Sequence, residues 1–124
     1  MYICALVGGS GTGKSYRAIR VAREHNIEYI IDDGLLIRGN GVVAGKSAKR
    51  EKTRVGAVKT AVFSNDDHVF EVVEALKENK VERLLILGTS DGMVAKIAKR
   101  HGLHGIDETV YIKDISSEYE IQQE

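Results

Sequence analysis

The sequence predicts an α/β protein in which helices cover both faces of a mostly parallel sheet of about four strands. Short apolar runs of strand length alternate along the chain with longer segments whose apolar residues recur at helical spacing. The short runs are rich in Ile, Leu and Val without polar alternation, as in strands that are buried on both faces. This alternation is typical of three-layer α/β folds, and 124 residues correspond to a single domain, 1–124.

Each predicted strand is a short apolar run that ends at a glycine, an aspartate or a turn. The helix after the first strand has an apolar stripe of Ala18, Ile19, Val21 and Ala22 opposite a polar face rich in arginine. Gly102 is expected to end the last helix before the final strand. The predicted strands are 2–7, 28–32, 83–87 and 109–112. The predicted helices are 14–25, 46–62, 64–79, one that includes 93–98, and an acidic helical tail from Ser116.

A β-hairpin insertion is predicted near residues 35–44. Two apolar runs, 35–37 and 42–44, flank the sequence Gly39-Asn40-Gly41. Glycine and asparagine are the residues that tight hairpin turns favour, because these turns need positive φ angles. The hairpin is therefore expected as an addition to the parallel sheet.

The overall composition limits the classes of binding partner that can be expected. There are 18 basic and 18 acidic residues, so bulk charge gives no support for binding nucleic acid or a membrane surface. The first residues lack the basic region of a signal peptide, and no apolar stretch has bilayer length, so a cytoplasmic location is expected. The single cysteine, Cys4, lies in the first apolar run and is interpreted as a buried structural thiol.

A phosphate-binding motif follows the first predicted strand. The segment GGSGTGKS at residues 8–15 matches G-x-x-x-x-G-K-[ST] at every fixed position. Backbone N–H groups of such a loop surround an anion, and the next helix directs its positive dipole end at the same anion. Lys14 is expected to reach the β- and γ-phosphates, and the Ser15 hydroxyl to bind Mg²⁺. The predicted nucleotide-binding residues of this segment are Gly8, Gly9, Ser10, Gly11, Thr12, Gly13, Lys14, Ser15 and the adjacent Tyr16, for which packing on the sheet is the alternative.

At residues 8–15 the chain resembles the P-loop NTPase superfamily, whose Walker A motif has this pattern. The resemblance implies a three-layer α/β fold, a bound nucleoside triphosphate and usually Mg²⁺. It does not identify the reaction, because the same loop serves kinases, hydrolases, motors and switches. Neither the Asn-Lys-x-Asp motif nor the Asp-x-x-Gly motif of regulatory GTPases occurs in the sequence, so ATP is the expected nucleotide.

Two acids at the end of the second predicted strand are the candidates for a catalytic carboxylate. Asp32 and Asp33 follow an apolar run, and acids at the carboxyl end of a parallel strand lie at the same edge as the phosphate loop. Their position resembles that of the acid in P-loop kinases that polarises a substrate hydroxyl, and their local pattern resembles the metal-side acid of the hydrolases. The alternative is that Asp32-Asp33-Gly34 simply forms a turn. Lys14, Asp32 and Asp33 are thus the predicted catalytic residues, with Asp32 and Ser15 as predicted Mg²⁺ ligands.

Hydroxyl residues stand where many members of the superfamily have a second acid. The strongest apolar run, 83–87, is followed by Gly88-Thr89-Ser90-Asp91. Thr89 and Ser90 are candidates for binding the γ-phosphate, and Asp91 for reaching the metal through a water. The alternative is that Ser90 or Thr89 caps the next helix.

A basic segment at 46–59 has six basic residues and one acid. It is interpreted either as a lid or docking surface for a phosphorylated substrate or a protein partner, or as a solvated helix face. Arg50 and Arg54 are spaced to share one helical face.

The sequence leaves three functions open. The first is a Mg²⁺-dependent ATPase or NTPase. The second is a small-molecule or nucleoside kinase, which the early Asp32-Asp33 pair favours. The third is a nucleotide-sensing module with little turnover, which the missing acid after residue 87 favours.

Overall fold

A mixed six-stranded sheet forms the centre of the structure, a computed structural model that describes residues 1–9 and 14–115. The predicted acidic helix from Ser116 lies outside the described residues. The strands are β1 (Tyr2–Val7), β2 (Tyr29–Asp32), β3 (Leu35–Arg38), β4 (Gly41–Gly45), β5 (Arg83–Gly88) and β6 (Glu108–Tyr111). The helices are α1 (Lys14–Glu24), α2 (Arg54–Ala61), α3 (Asp66–Glu78) and α4 (Asp91–Arg100), with a short 3₁₀ helix at Ala48–Arg50.

The strand order in the sheet is β4-β3-β2-β5-β1-β6. Neighbours are parallel from β2 through β5 and β1 to β6, whereas β2, β3 and β4 are joined by antiparallel pairing. The predicted α/β class is confirmed. The hairpin near 35–44 is present, but it is not an insertion beside a four-stranded sheet. It extends the sheet beyond β2, because Asp33 and Gly34 form a second tight turn that pairs β3 with β2.

Helices lie on both faces of the sheet because the two central strands, β1 and β5, are buried at every position after the first. Residues 3, 5 and 7 of β1 pack with α3 and α4 in one core cluster. Residues 4 and 6 of β1 pack with α1 in the other cluster, on the opposite face. Cys4 is fully buried in this second cluster, as the sequence predicts.

The predicted single helix over 46–62 is wrong. The chain forms a 3₁₀ helix at Ala48–Arg50, an extended interval, and then α2. Two hydroxyl caps cause the break, since Ser47 accepts a hydrogen bond from the backbone N–H of Lys49 and Thr53 accepts one from that of Gly56. Arg50 and Arg54 therefore do not share a helical face. Val55 and Val58 of α2 are 64% and 58% exposed.

The connections that follow β1 and β5 run in opposite directions along the strand order of the sheet. From β1, α1 crosses one face toward β2, and from β5, α4 crosses the other face toward β6. The carboxyl ends of these two neighbouring strands thus lie at a topological switch point, where open α/β sheets bind ligands. Gly8 follows β1, and its N–H donates to the carbonyl of Gly88 at the end of β5, at 3.1 Å.

No helix in the described part of the chain combines the length and the apolar content that crossing a bilayer requires.

Candidate functional site

Lys14 begins α1 and lies against the residue that follows β1. Its Nζ donates a hydrogen bond to the carbonyl of Gly8 at 3.0 Å. A Cβ built on Gly9 would have no heavy atom of the described residues within 4 Å, apart from its chain neighbours. Ser10, Gly11, Thr12 and Gly13 lie outside the described residues, as does the side chain of Ser15.

Three predicted catalytic residues line one cavity of about 390 Å³, here called the Lys14 cavity. Lys14 comes from the start of α1, Asp32 from the end of β2, and Asp33 from the turn that follows β2. The fold therefore brings Lys14, from the motif at 8–15, close to the acids at the end of β2. Thr89 also lines the Lys14 cavity, together with Lys49 and Arg54 of the basic segment.

An apolar wall forms much of the Lys14 cavity. It comes mainly from one side of α2, with contributions from the end of β5 and the start of α4. This wall explains the exposure of Val58, whose side chain faces the cavity instead of the core. The apolar lining residues are Ala57, Val58, Ala61, Val62, Leu87 and Met93.

The sequence left two alternatives for Asp33, a residue of a turn or a residue of the candidate site. In the structure it lies in the turn after β2 and also lines the Lys14 cavity. Its φ is 55° and that of Gly34 is 90°, which matches a two-residue hairpin turn with two positive φ angles. Burial, and next the neighbouring charge of Asp32, raise the pKa of the Asp33 carboxyl, while Lys49 and Lys14 act in the opposite direction. Among the described residues, none donates a hydrogen bond to Oδ2 of Asp33, which is buried. This oxygen can accept a hydrogen bond or bind a cation, and the charges of Lys49 and Lys14 act on the same carboxyl group.

Gly88, the last residue of β5, has no room for an acidic side chain in its place. A Cβ on Gly88 would lie 2.6 Å from Cγ1 of Val94, because α4 packs closely on the end of β5. Ser90 caps α4, its Oγ accepting from the N–H of Met93 at 3.1 Å. The hydroxyl of Tyr111 donates a hydrogen bond to Asp91 at 2.8 Å, so the carboxylate of Asp91 already has a hydrogen-bond partner. Nucleotide binding by Ser90 stays a prediction, whereas the capping interpretation is confirmed.

A second cavity, of about 380 Å³, lies on the β6 side of the loop. Gly8, Gly9 and Thr89 line it together with the end of β6, so Thr89 borders both cavities. A hydrogen bond to Asp91 is the main cause that raises the pKa of Tyr111, which lines this second cavity. Sequence reasoning did not single out Tyr111 or Lys113, because the end of the last strand has no motif to mark it.

Tyr16 lies away from these residues. Its side chain is 86% exposed, which argues against packing on the sheet. It lines a separate cavity on the outer face of α1 with several arginines of that helix. Stacking of Tyr16 near a nucleotide thus stays a prediction without support from its position.

The chain matches no protein-family model, and no curated protein or solved structure shows significant similarity to it.

Proposed function

We propose that the chain is a Mg²⁺-dependent ATPase of the P-loop NTPase type. The observation that best supports this proposal is the meeting of Lys14 with Asp32 and Asp33 in one cavity beside a topological switch point. The motif alone predicts only anion binding. The two acids add the oxygen ligands and the proton acceptor that phosphoryl transfer requires.

The nucleotide phosphates would be held by residues 8–15 with the γ-phosphate toward the Lys14 cavity. Lys14 lines that cavity, and the lysine of this motif binds the β- and γ-phosphates. Lys49 and Arg54 line the same cavity, and they would stabilise negative charge on the γ-phosphate in the transition state. The basic segment would then be part of the active site.

The acids of the cavity fit a hard divalent cation. Magnesium prefers oxygen ligands, and Asp32 lies at the end of β2 beside the buried, unpartnered Oδ2 of Asp33. Asp32 and the hydroxyl of Ser15 would hold Mg²⁺, which neutralises charge on the phosphates when bound. Asp33 would accept the proton of the attacking water, whose oxygen bonds to the γ-phosphorus as the bond to ADP breaks.

A kinase is the second candidate, and the apolar wall of the Lys14 cavity favours it. Water needs no apolar surface, whereas an organic acceptor would pack against Ala57, Val58 and Ala61. In that case Asp33 would accept the proton of the acceptor hydroxyl instead. The two functions differ in product, since only the ATPase releases inorganic phosphate without an added acceptor.

The Lys14→Ala variant tests the nucleotide site. For the wild type, we expect Mg²⁺-ATP at about 100 times its Kd to raise the free energy of unfolding by about 2.7 kcal/mol. Lys14→Ala should lose this stabilisation and all turnover, because the phosphates lose their cation. Thermal denaturation and phosphate release measure the two effects. Lys96→Ala, which removes an exposed lysine of α4, is the matched control and should behave as the wild type.

The Asp33→Asn variant separates binding from chemistry. It should still be stabilised by Mg²⁺-ATP while phosphate release falls by roughly 100-fold or more, because the proton acceptor is lost. A wild-type chain that no nucleoside triphosphate stabilises would refute the proposal. Binding without phosphate release, with or without hydroxyl acceptors, would instead support the nucleotide-sensing module.

A further inference from the structure

A cysteine, a histidine and a glutamate meet at the end of the molecule opposite the Lys14 cavity. The Sγ of Cys4, a ring nitrogen of His25 and a carboxylate oxygen of Glu108 all lie within 4.8 Å of one another. In the described ranges, 1–9 and 14–115, no other three side chains of the types His, Cys, Asp and Glu come together in this way. Neither the phosphate motif nor the acids of β2 take part.

Three different elements supply these side chains. Cys4 and Glu108 are register partners on the neighbouring parallel strands β1 and β6. His25 directly follows α1, whose other end begins at Lys14. Eleven helical residues span roughly 16 Å, so the cluster is well separated from the phosphate site.

The hydrogen bonds of His25 orient its ring toward Glu108. Nδ1 lies 2.9 Å from the carbonyl of Val21, which can only accept, so Nδ1 has the proton. In the neutral ring, Nε2 then presents a lone pair, and it lies 3.0 Å from Oε2 of Glu108. Two acceptors do not face each other at that distance unless a positive charge lies between them. That charge is either a proton, on the ring or on the carboxyl group, or a metal ion.

The surroundings resemble those of metal ligands. A backbone carbonyl that holds the far nitrogen of a histidine is a typical outer-sphere partner, and the hydroxyl of Tyr2 donates to the carboxylate of Glu108 in the same way. A protonated His25 would explain the contact with Glu108. It would not explain why Cys4 completes the cluster, with only a weak 3.9 Å contact from Sγ to the carbonyl of Ala5.

We propose that Cys4, His25 and Glu108 bind a zinc-like divalent cation. Sulfur, imidazole and carboxylate together suit Zn²⁺, which binds four ligands tetrahedrally. Zinc bonds of about 2.0–2.3 Å at tetrahedral angles place these three ligand atoms roughly 3.3–3.6 Å apart, so a small rotation of side chains closes the set from within 4.8 Å. Glu108, whose side chain is 50% exposed, leaves an entry path and room for a water as fourth ligand.

The ion would tie the end of α1 to β1 and β6. It would join residues 4, 25 and 108, which are distant in sequence, so its binding energy would add to the stability of the fold. The proposal is independent of nucleotide binding.

Cobalt titration of the full chain tests the proposal, with Co²⁺ as the spectroscopic substitute for Zn²⁺. We expect one equivalent to bind, with a thiolate-to-cobalt charge-transfer band and visible bands of tetrahedral intensity, and Zn²⁺ to displace it. Cys4→Ser should lose the charge-transfer band, and His25→Gln should bind at least about 100-fold more weakly. His104→Gln is the matched control, because that histidine is more exposed and pairs with Asp107 outside the cluster.

The outcomes separate the two explanations. Absence of a charge-transfer band in the folded wild type, or a band that survives in both Cys4→Ser and His25→Gln, would overturn the proposal in favour of a protonated His25 beside a structural thiol. If the buried Cys4→Ser variant does not fold, the partly exposed His25→Gln variant decides the result. Lys14→Ala should keep the cobalt band, which distinguishes failure of this site from failure of the nucleotide site.

Discussion

At the scale of single residues, His101 is a buried group whose protonation the fold opposes. Its side chain packs edge-on against Phe63, with 4.4 Å between ring centroids, and its Nδ1 lies 2.7 Å from the carbonyl of Ile97. Burial is the main cause that lowers its pKa, and the charges of His68 and Arg100 act in the same direction. The hydrogen bond to Ile97 offsets part of this effect.

This lowered pKa predicts a loss of stability in mild acid. Below the ordinary value of 6.5, the unfolded chain binds the proton and the folded chain does not, so the free energy of unfolding falls as the pH falls. Urea denaturation at pH 7.5 and pH 5.5 should show a smaller drop for His101→Leu than for the wild type. The exposed His104→Leu variant should keep the wild-type drop. Equal drops in all three proteins would contradict the assignment to His101.

At the scale of elements, the turn between β2 and β3 is packed backbone against backbone. Gly34 has a φ of +90°, and a Cβ there would lie 2.2 Å from the carbonyl oxygen of Lys46. The carbonyl of Gly34 also lies 2.7 Å from Nε2 of His68 on α3. The turn that positions Asp33 is therefore held by the strand and helix around it.

Two glycine substitutions compare this packing with turn strain alone. Gly34→Ala should lower the free energy of unfolding by more than about 3 kcal/mol, because it adds a backbone clash to an unfavourable φ. Gly39→Ala has the same kind of strain, with a φ of +61° but nothing within 4 Å, and should cost only about 1 kcal/mol. Urea denaturation measures both. Similar losses would mean that the contact with Lys46 relaxes without cost.

The break in the basic segment matters for the site. In one continuous helix, residues 49 and 54 would point about 140° apart. The interval between the 3₁₀ helix and α2 lets Lys49 and Arg54 line the same cavity from two separate elements.

At the scale of the whole molecule, the opposite crossovers from β1 and β5 concentrate the predicted site at one edge of the sheet. Hydrogen exchange should therefore slow on adding Mg²⁺-ATP at residues 8–9, at 88–89 and in the segment 46–59, while β6 and the far end of α1 stay unchanged. Lys14→Ala should show no such change. Protection spread evenly over the sheet would indicate general stabilisation instead of binding at the switch point.

Local signals were enough to predict much of the fold. The apolar runs mark β1, β2, β5 and β6, and Gly39-Asn40 marks the turn of the hairpin, because strand burial and turn chemistry depend on neighbouring residues. The prediction of one helix over 46–62 was wrong. The valines of this segment have helical spacing, but two hydroxyl caps within it interrupt the helix.

By itself, the sequence determined the α/β class, the match to G-x-x-x-x-G-K-[ST] at 8–15 and the strand-end position of Asp32 and Asp33. Only the tertiary structure decided that these acids line one cavity with Lys14, Lys49 and Arg54, and that Cys4 lies close to His25 and Glu108. These meetings depend on strand order and register, which pair residues that are distant along the chain. Periodicity and turn residues report only on near neighbours, so no local pattern contains this information.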